Sequence, residues 1–113
     1  MKIETTSIHT GELKDHAFGT VAMPIILTTT FERDSEGGFP AGRDVYSRAS
    51  NPNRRALEQK LAALENGAEA IAFSSGQAAT MSVFNSLEPN AHVIIPDDIY
   101  YGTRVLLDRK SVV

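Results

Sequence analysis

Cysteine is absent from the chain, which excludes disulfides and thiolate-ligated metal sites. A basic excess is missing too: 11 Lys and Arg face 14 Asp and Glu, for a formal net charge of -3. Nucleic acid and anionic membrane surfaces recruit positive charge, so neither is an expected partner. No apolar run approaches the roughly 18 residues of a membrane span. The opening Met1-Lys2-Ile3-Glu4-Thr5-Thr6 has no apolar h-region, so no signal peptide is expected and a cytoplasmic location follows. His9, His16 and His92 have neither ligand nor triad spacing. Asp97-Asp98 reads as a cap or turn, so no metal is expected. Three common signatures are also lacking: the Walker Gly-Lys-Ser/Thr, the dinucleotide G-x-G-x-x-G and the nucleophile elbow G-x-S-x-G.

What remains is an ordinary globular composition, 42% hydrophobic and 22% charged over 113 residues, enough for one small domain. The pattern changes near residue 50. Residues 1–50 lack sustained apolar periodicity. Val21-Ala22-Met23-Pro24-Ile25-Ile26-Leu27 runs into Thr28-Thr29-Thr30-Phe31 and suits an extended arm. Glu36 to Gly42 is a loop by composition. An arm of this length without its own core packs on something else.

Residues 51–113 alternate helix and strand signals. Asn51 caps and Pro52 opens a helix over about 52–66, with Leu57, Leu61 and Leu64 on one apolar stripe and Asn66-Gly67 as its stop. Ala70-Ile71-Ala72-Phe73 has strand length. Ser74-Ser75-Gly76 leads into a second helix with Ala79, Val83 and Leu87 on one face. Glu88-Pro89-Asn90 breaks it, and His92-Val93-Ile94-Ile95 is a second strand. A third helix is expected from Tyr101 or Gly102 toward Arg109. Between Phe73 and His92 lie 18 residues, enough for a parallel crossover. The class is therefore α/β, opening with a βαβ unit. Two parallel strands cannot make a sheet covered on both faces, so a larger fold is expected. The ending Arg109-Lys110-Ser111-Val112-Val113 offers neither a helix stop nor a third strand.

Three features carry chemistry. Ser75-Gly76-Gln77 stands where a strand hands over to a helix, and helix starts present unpaired N–H groups to anions. Gly76 lets the backbone approach a phosphate closely. Taken alone, the same residues also read as a plain serine cap. Tyr46 and Arg48, two apart in an extended segment, place a hydroxyl and a guanidinium fork on one side. A surface Arg beside a half-buried Tyr is the bland alternative. Tyr100 follows the second strand, on the edge where open α/β sheets gather ligands, and its ring could lie on a flat heteroaromatic.

Together these segments resemble one family. They are Ile8-His9-Thr10-Gly11, Pro24-Ile25 with Thr28-Thr29-Thr30-Phe31, Tyr46-Ser47-Arg48 with Asn51-Pro52, Leu64-Glu65, Phe73-Ser74-Ser75-Gly76 with Ala78-Ala79, and Asp98-Ile99-Tyr100 with Gly102-Thr103. Their order and spacing resemble the pyridoxal-phosphate (PLP)-dependent Cys/Met-metabolism, or transsulfuration, family. The resemblance implies the start of a fold type I large domain behind an N-terminal arm, residues 1–50, that contacts a neighbouring subunit. It implies PLP as cofactor, sulfur amino acids or acyl-homoserines as substrates, and a homotetramer built as a dimer of dimers. It implies that the backbone at Gly76 and Gln77, with Ser75, holds the cofactor phosphate. Tyr46 and Arg48 then reach a neighbour's phosphate, while Tyr100 stacks on the ring and assists proton transfer. Gln77, Tyr101 and Asn53 depart from the usual Met, Gly and Thr.

The family's cofactor-bearing lysine has no counterpart among Lys2, Lys14, Lys60 and Lys110. The 113-residue chain alone is therefore expected to be inactive. The alternatives are a non-catalytic remnant or interaction module of the same fold, and an unrelated phosphate-binding α/β domain. Exposed apolar surface on the two expected strands should make the isolated chain poorly stable or prone to associate.

Overall fold

Asn51 and Pro52 open the longest element, as their side chains require. In a computed structural model, which describes residues 2–110, the order is α1 (Ile3–His9), α2 (Pro52–Leu64), α3 (Gly76–Asn85) and α4 (Tyr101–Lys110). The Asn51 side chain accepts from the Asn53 amide at 2.9 Å, and Pro52 occupies the first turn, where its missing N–H costs nothing. The stop is left-handed: Asn66 takes φ 53°, and the Gly67 amide donates to the Ala62 carbonyl at 2.9 Å. The expected lack of a helix stop toward Val113 falls at 111–113, outside the described residues.

Contacts divide the chain into two compact units, Met1–Ala72 and Phe73–Val113. In the first unit α1 is a finding that the sequence pattern did not anticipate. It has seven residues, and a helix that short is marginal in water without support. Support comes from α2. Gly11 takes φ +74° so close to α2 that a Cβ would lie 2.4 Å from the Ala56 carbonyl oxygen. The Lys60 ammonium donates to the Ile8 carbonyl at 3.1 Å, tying the end of α1 to α2. The buried face of α2 is accordingly small, Ala56 and Ala62, at 7% and 8% exposure. Of the leucine stripe, Leu57 and Leu61 are exposed and Leu64 is half-buried. Small residues let backbones approach, and that requirement sets which face of α2 docks here.

The arm is laid along this unit in extended form. Phe31 donates to the Val45 carbonyl at 3.3 Å and Ser47 to that of Thr29 at 2.9 Å, around an antiparallel bridge between Thr30 and Tyr46. The first turns of α2 hold it by side chains. The Asn53 amide donates to the Pro24 carbonyl and accepts from the Ile26 N–H, both at 2.8 Å, imitating a strand partner. The Arg55 guanidinium pairs with Asp44, a carboxylate residue only 8% exposed.

In the second unit α3 and α4 pack together. The Ser75 hydroxyl accepts from the Ala78 N–H at 3.2 Å and caps α3. After α3, Asn90 turns the chain at φ 66°. The two expected strands are not formed: Ala70–Phe73 and His92–Ile95 are non-helical but enter no ladder, and no β-strand forms among the described residues. The physical reason is the one that makes a larger fold necessary. Parallel strands are stable only when neighbours and both faces are covered, and here Ile94 is 100% exposed and Ile71 and Val93 are exposed too.

Candidate functional site

The start of α3 is an open helix N-terminus. A Cβ built on Gly76 would meet nothing within 4 Å. The Gly76 and Gln77 amides have no hydrogen-bond partner among the described residues, whereas the Ala78 amide is taken by the Ser75 hydroxyl and the Ala79 amide by the Ser75 carbonyl. Two free N–H groups, room above a glycine and a partial positive charge make a donor set for a compact anion such as a phosphate. While accepting from Ala78, the Ser75 hydroxyl keeps its own proton available to donate. The chemistry of this donor set, with open space over Gly76, suits a phosphate.

The structure brings Tyr100 to this helix start through α4. Gln77 Nε2 donates to the Gly102 carbonyl at 2.8 Å, fastening the first turn of α3 to the first turn of α4. Gly102 is required there, since a Cβ would lie 2.6 Å from the Tyr100 ring and 3.2 Å from Gln77 Oε1. Tyr100 is the residue before α4, and its carbonyl accepts from the Thr103 and Arg104 amides at 2.9 and 3.2 Å. The ring itself is 73% exposed, so a face is open to a flat ligand. Sequence reasoning named Gln77 only for its backbone. Its side-chain role escaped notice because nothing local marks a bond to a residue 25 positions away. Asp97 takes the Arg104 guanidinium, its carboxylate at 3.2 Å and its carbonyl as well, and so acts as a turn residue.

Tyr46 and Arg48 belong to the first unit. They do not lie in a simple extended segment. Tyr46 ends the bridge with Thr30, and the chain then turns: the Ala49 and Ser50 amides both donate to the Tyr46 carbonyl at 2.9 Å. The two side chains still meet, with the Arg48 guanidinium carbon 4.9 Å from the centre of the Tyr46 ring. Both residues are exposed. The turn is held from below. The Ser47 hydroxyl donates to the Thr28 carbonyl, and Asn51 Nδ2 donates to that hydroxyl at 3.0 Å. Arg54 grips the Arg48 carbonyl at 3.4 Å through one terminal nitrogen and the Ala49 carbonyl through the other. Its Nε is 3.7 Å from Glu58 Oε1, which also accepts from the Ala72 N–H at 3.0 Å.

Among the described residues no group of three or more His, Asp or Glu gathers in a metal-binding arrangement, and no helix is long and apolar enough to cross a membrane. The cystathionine gamma-synthase of Mycobacterium tuberculosis is 49% identical over 106 residues, which is 93% of this chain and 27% of that protein. The cystathionine gamma-lyase of Saccharomyces cerevisiae is 45% identical over 102 residues, 90% of this chain and 25% of that one. The crystal structure of a cystathione gamma lyase (CalE6) from Micromonospora echinospora superposes with a TM-score of 0.87 at 37% identity, covering 99% of this chain and 29% of that one. The chain thus spans about a quarter of the length of these relatives and has the fold of their corresponding portion. Residues 4–112 match the family described as Cys/Met metabolism PLP-dependent enzyme, and the chain belongs to that family.

Proposed function

We propose that this chain supplies the N-terminal part of a PLP-dependent enzyme that forms or cleaves C–S bonds in sulfur amino acids or acyl-homoserines. The observation that carries the reading is the helix start at Gly76 and Gln77, with two unpartnered amides and open space above the glycine, in a member of a PLP-dependent family. PLP, when bound, supplies an electron sink for a carbanion at the substrate amino acid.

The chain's own residues have narrower tasks. Gly76 and Gln77 donate backbone N–H groups to the phosphate, and Ser75 adds its hydroxyl. Tyr46 and Arg48 add a phenolic hydroxyl and a planar fork to the phosphate of a neighbouring subunit in a homo-oligomer, with residues 1–50 as the arm that reaches it. Tyr100 lays its exposed ring along the pyridine and moves a proton through its hydroxyl. A cytoplasmic location accords with this chemistry.

No lysine of the chain matches the cofactor-bearing one of the family, so a polypeptide of these 113 residues alone turns over neither cystathionine nor O-acetylhomoserine. The test replaces the matching segment of the M. tuberculosis cystathionine gamma-synthase with residues 4–110. Retained turnover in that chimera, its loss in Arg48→Ala, and none from the 113-residue chain are expected. Turnover by the purified 113-residue chain, or a chimera indifferent to Arg48→Ala, refutes the reading.

A further inference from the structure

Arg54 and Glu58 stand one turn apart on α2 and touch none of the groups assigned above to the phosphate, yet they hold the backbone beneath two of them. The Arg54 guanidinium uses its two terminal nitrogens on consecutive carbonyls, those of Arg48 and Ala49. Its third nitrogen faces Glu58 Oε1 at 3.7 Å. The same carboxylate oxygen accepts from the Ala72 amide at 3.0 Å. The result is a continuous polar chain within the first unit, from the carbonyl of Arg48 through guanidinium and carboxylate to the N–H of Ala72. The Arg54 side chain is 37% exposed and that of Glu58 22%. An exposed ion pair of this kind contributes little to stability. Both long side chains nevertheless lose rotamer freedom to reach backbone groups rather than each other alone.

We propose that Arg54 is a positioning residue for Tyr46 and Arg48, and that Glu58 holds Arg54 in place. This rests on the reading of Tyr46 and Arg48 as phosphate ligands. The turn over 46–50 lies between Tyr46, which bridges to Thr30, and the start of α2, and it decides where the two side chains are presented. Its own hydrogen bonds, from Ala49 and Ser50 to the Tyr46 carbonyl, fix the turn's shape but not its attitude to α2. Asn51, through the Ser47 hydroxyl, ties the turn to the helix start, and Arg54 adds a constraint from the next turn of α2 on the Arg48 and Ala49 carbonyls. A planar fork with three nitrogens can hold two carbonyls and a carboxylate at once; a lysine ammonium, a point charge on a flexible stem, cannot keep the same geometry. In metal sites, groups that orient the ligands rather than touch the ion change affinity by about 10–100-fold when removed, and a change on that scale is expected here.

The test has two arms. The first needs no cofactor. In the full chain, the Tyr46 ring shifts the Arg48 side-chain proton resonances upfield through its ring current. Arg54→Ala removes that shift, Arg54→Lys does not restore it, and Glu58→Gln reduces it. An unchanged Arg48 resonance in Arg54→Lys overturns the proposal, even if Arg54→Ala does not fold. The second arm compares PLP with pyridoxal, which lacks the phosphate, by equilibrium dialysis against the chimera. Arg54→Ala lowers the preference for PLP about tenfold and leaves pyridoxal binding unchanged. Added to Arg48→Ala it has no further effect, because both act through one group. If Arg48→Ala lowers the preference and Arg54→Ala does not, the positioning role fails. If Arg48→Ala leaves the preference intact, the phosphate reading of Tyr46 and Arg48 fails instead.

Discussion

The polar clamps of the first unit reach far along the sequence, and in the second such a clamp joins Gln77 to Gly102 beside the local contacts of Arg104 with Asp97. In Met1–Ala72, side chains of α2 reach back across the sequence to backbone groups of the arm and α1: Asn53 to Pro24 and Ile26, Lys60 to Ile8, Arg54 to Arg48 and Ala49. In Phe73–Val113, the Gln77 side chain bonds to the Gly102 carbonyl and joins the first turns of α3 and α4. Apolar groups remain open in both units, Val21 96% and Leu27 87% exposed in the first and Ile94 100% and Val83 62% in the second. Directional bonds to backbone fix a shape even where little apolar area is buried. Apolar faces without a covering surface fix nothing, and they mark the region that needs a neighbour.

Breaking the close approach in the first unit has the largest expected effect. Gly11→Ala adds a Cβ against the Ala56 carbonyl in a left-handed backbone, and costs about 2–3 kcal/mol. Its signature is loss of amide protection in α1, followed by hydrogen exchange, with α3 and α4 unaffected. Next comes Asn53→Ala, which strands one donor and one acceptor of the arm and costs about 2 kcal/mol. Asn53→Thr recovers part of that, since a hydroxyl can serve one of the two groups. Both are read from chemical denaturation.

The second unit responds more weakly to a single polar change. Gln77→Met removes the bond to Gly102 and costs about 1 kcal/mol, and the lost hold frees the Tyr100 ring, seen as line narrowing of its resonances. Smallest of all is Ile94→Asp. At a fully exposed position it changes the melting of the chain by less than about 0.5 kcal/mol, while lowering self-association in sedimentation velocity. A large loss of stability there would mean that the apolar face is covered within the chain after all, and the contrast between the units would fall.

What the sequence made legible is the punctuation. Asn51, Pro52, Asn66 and Ser75 act through bonds to residues within a few positions, so their types announce their roles. The helix over residues 101–110 and the open turn at Gly76 followed from the same local logic. α1 was not legible, because seven residues without an apolar stripe carry no periodic signal and depend on Gly11 and Lys60 docking them to α2. The turn after Tyr46 was read as extended, since its stabilising contacts come from Asn51 and Arg54 rather than from turn-type residues. Residues 70–73 and 92–95 enter no ladder here: β-rich composition states a preference, but a ladder needs partners.

The Lys60 bond to Ile8 spans 52 positions. Closing a segment of that length costs about 3.5 kcal/mol of chain entropy by the logarithmic loop law, more than one ammonium–carbonyl contact returns. The expected consequence is that α1 docks on α2 once Asn53 and Arg55 have pinned the intervening arm, which a quenched-flow hydrogen-exchange experiment would read. Docking would then run against the order of the sequence, the helix settling after the arm that follows it.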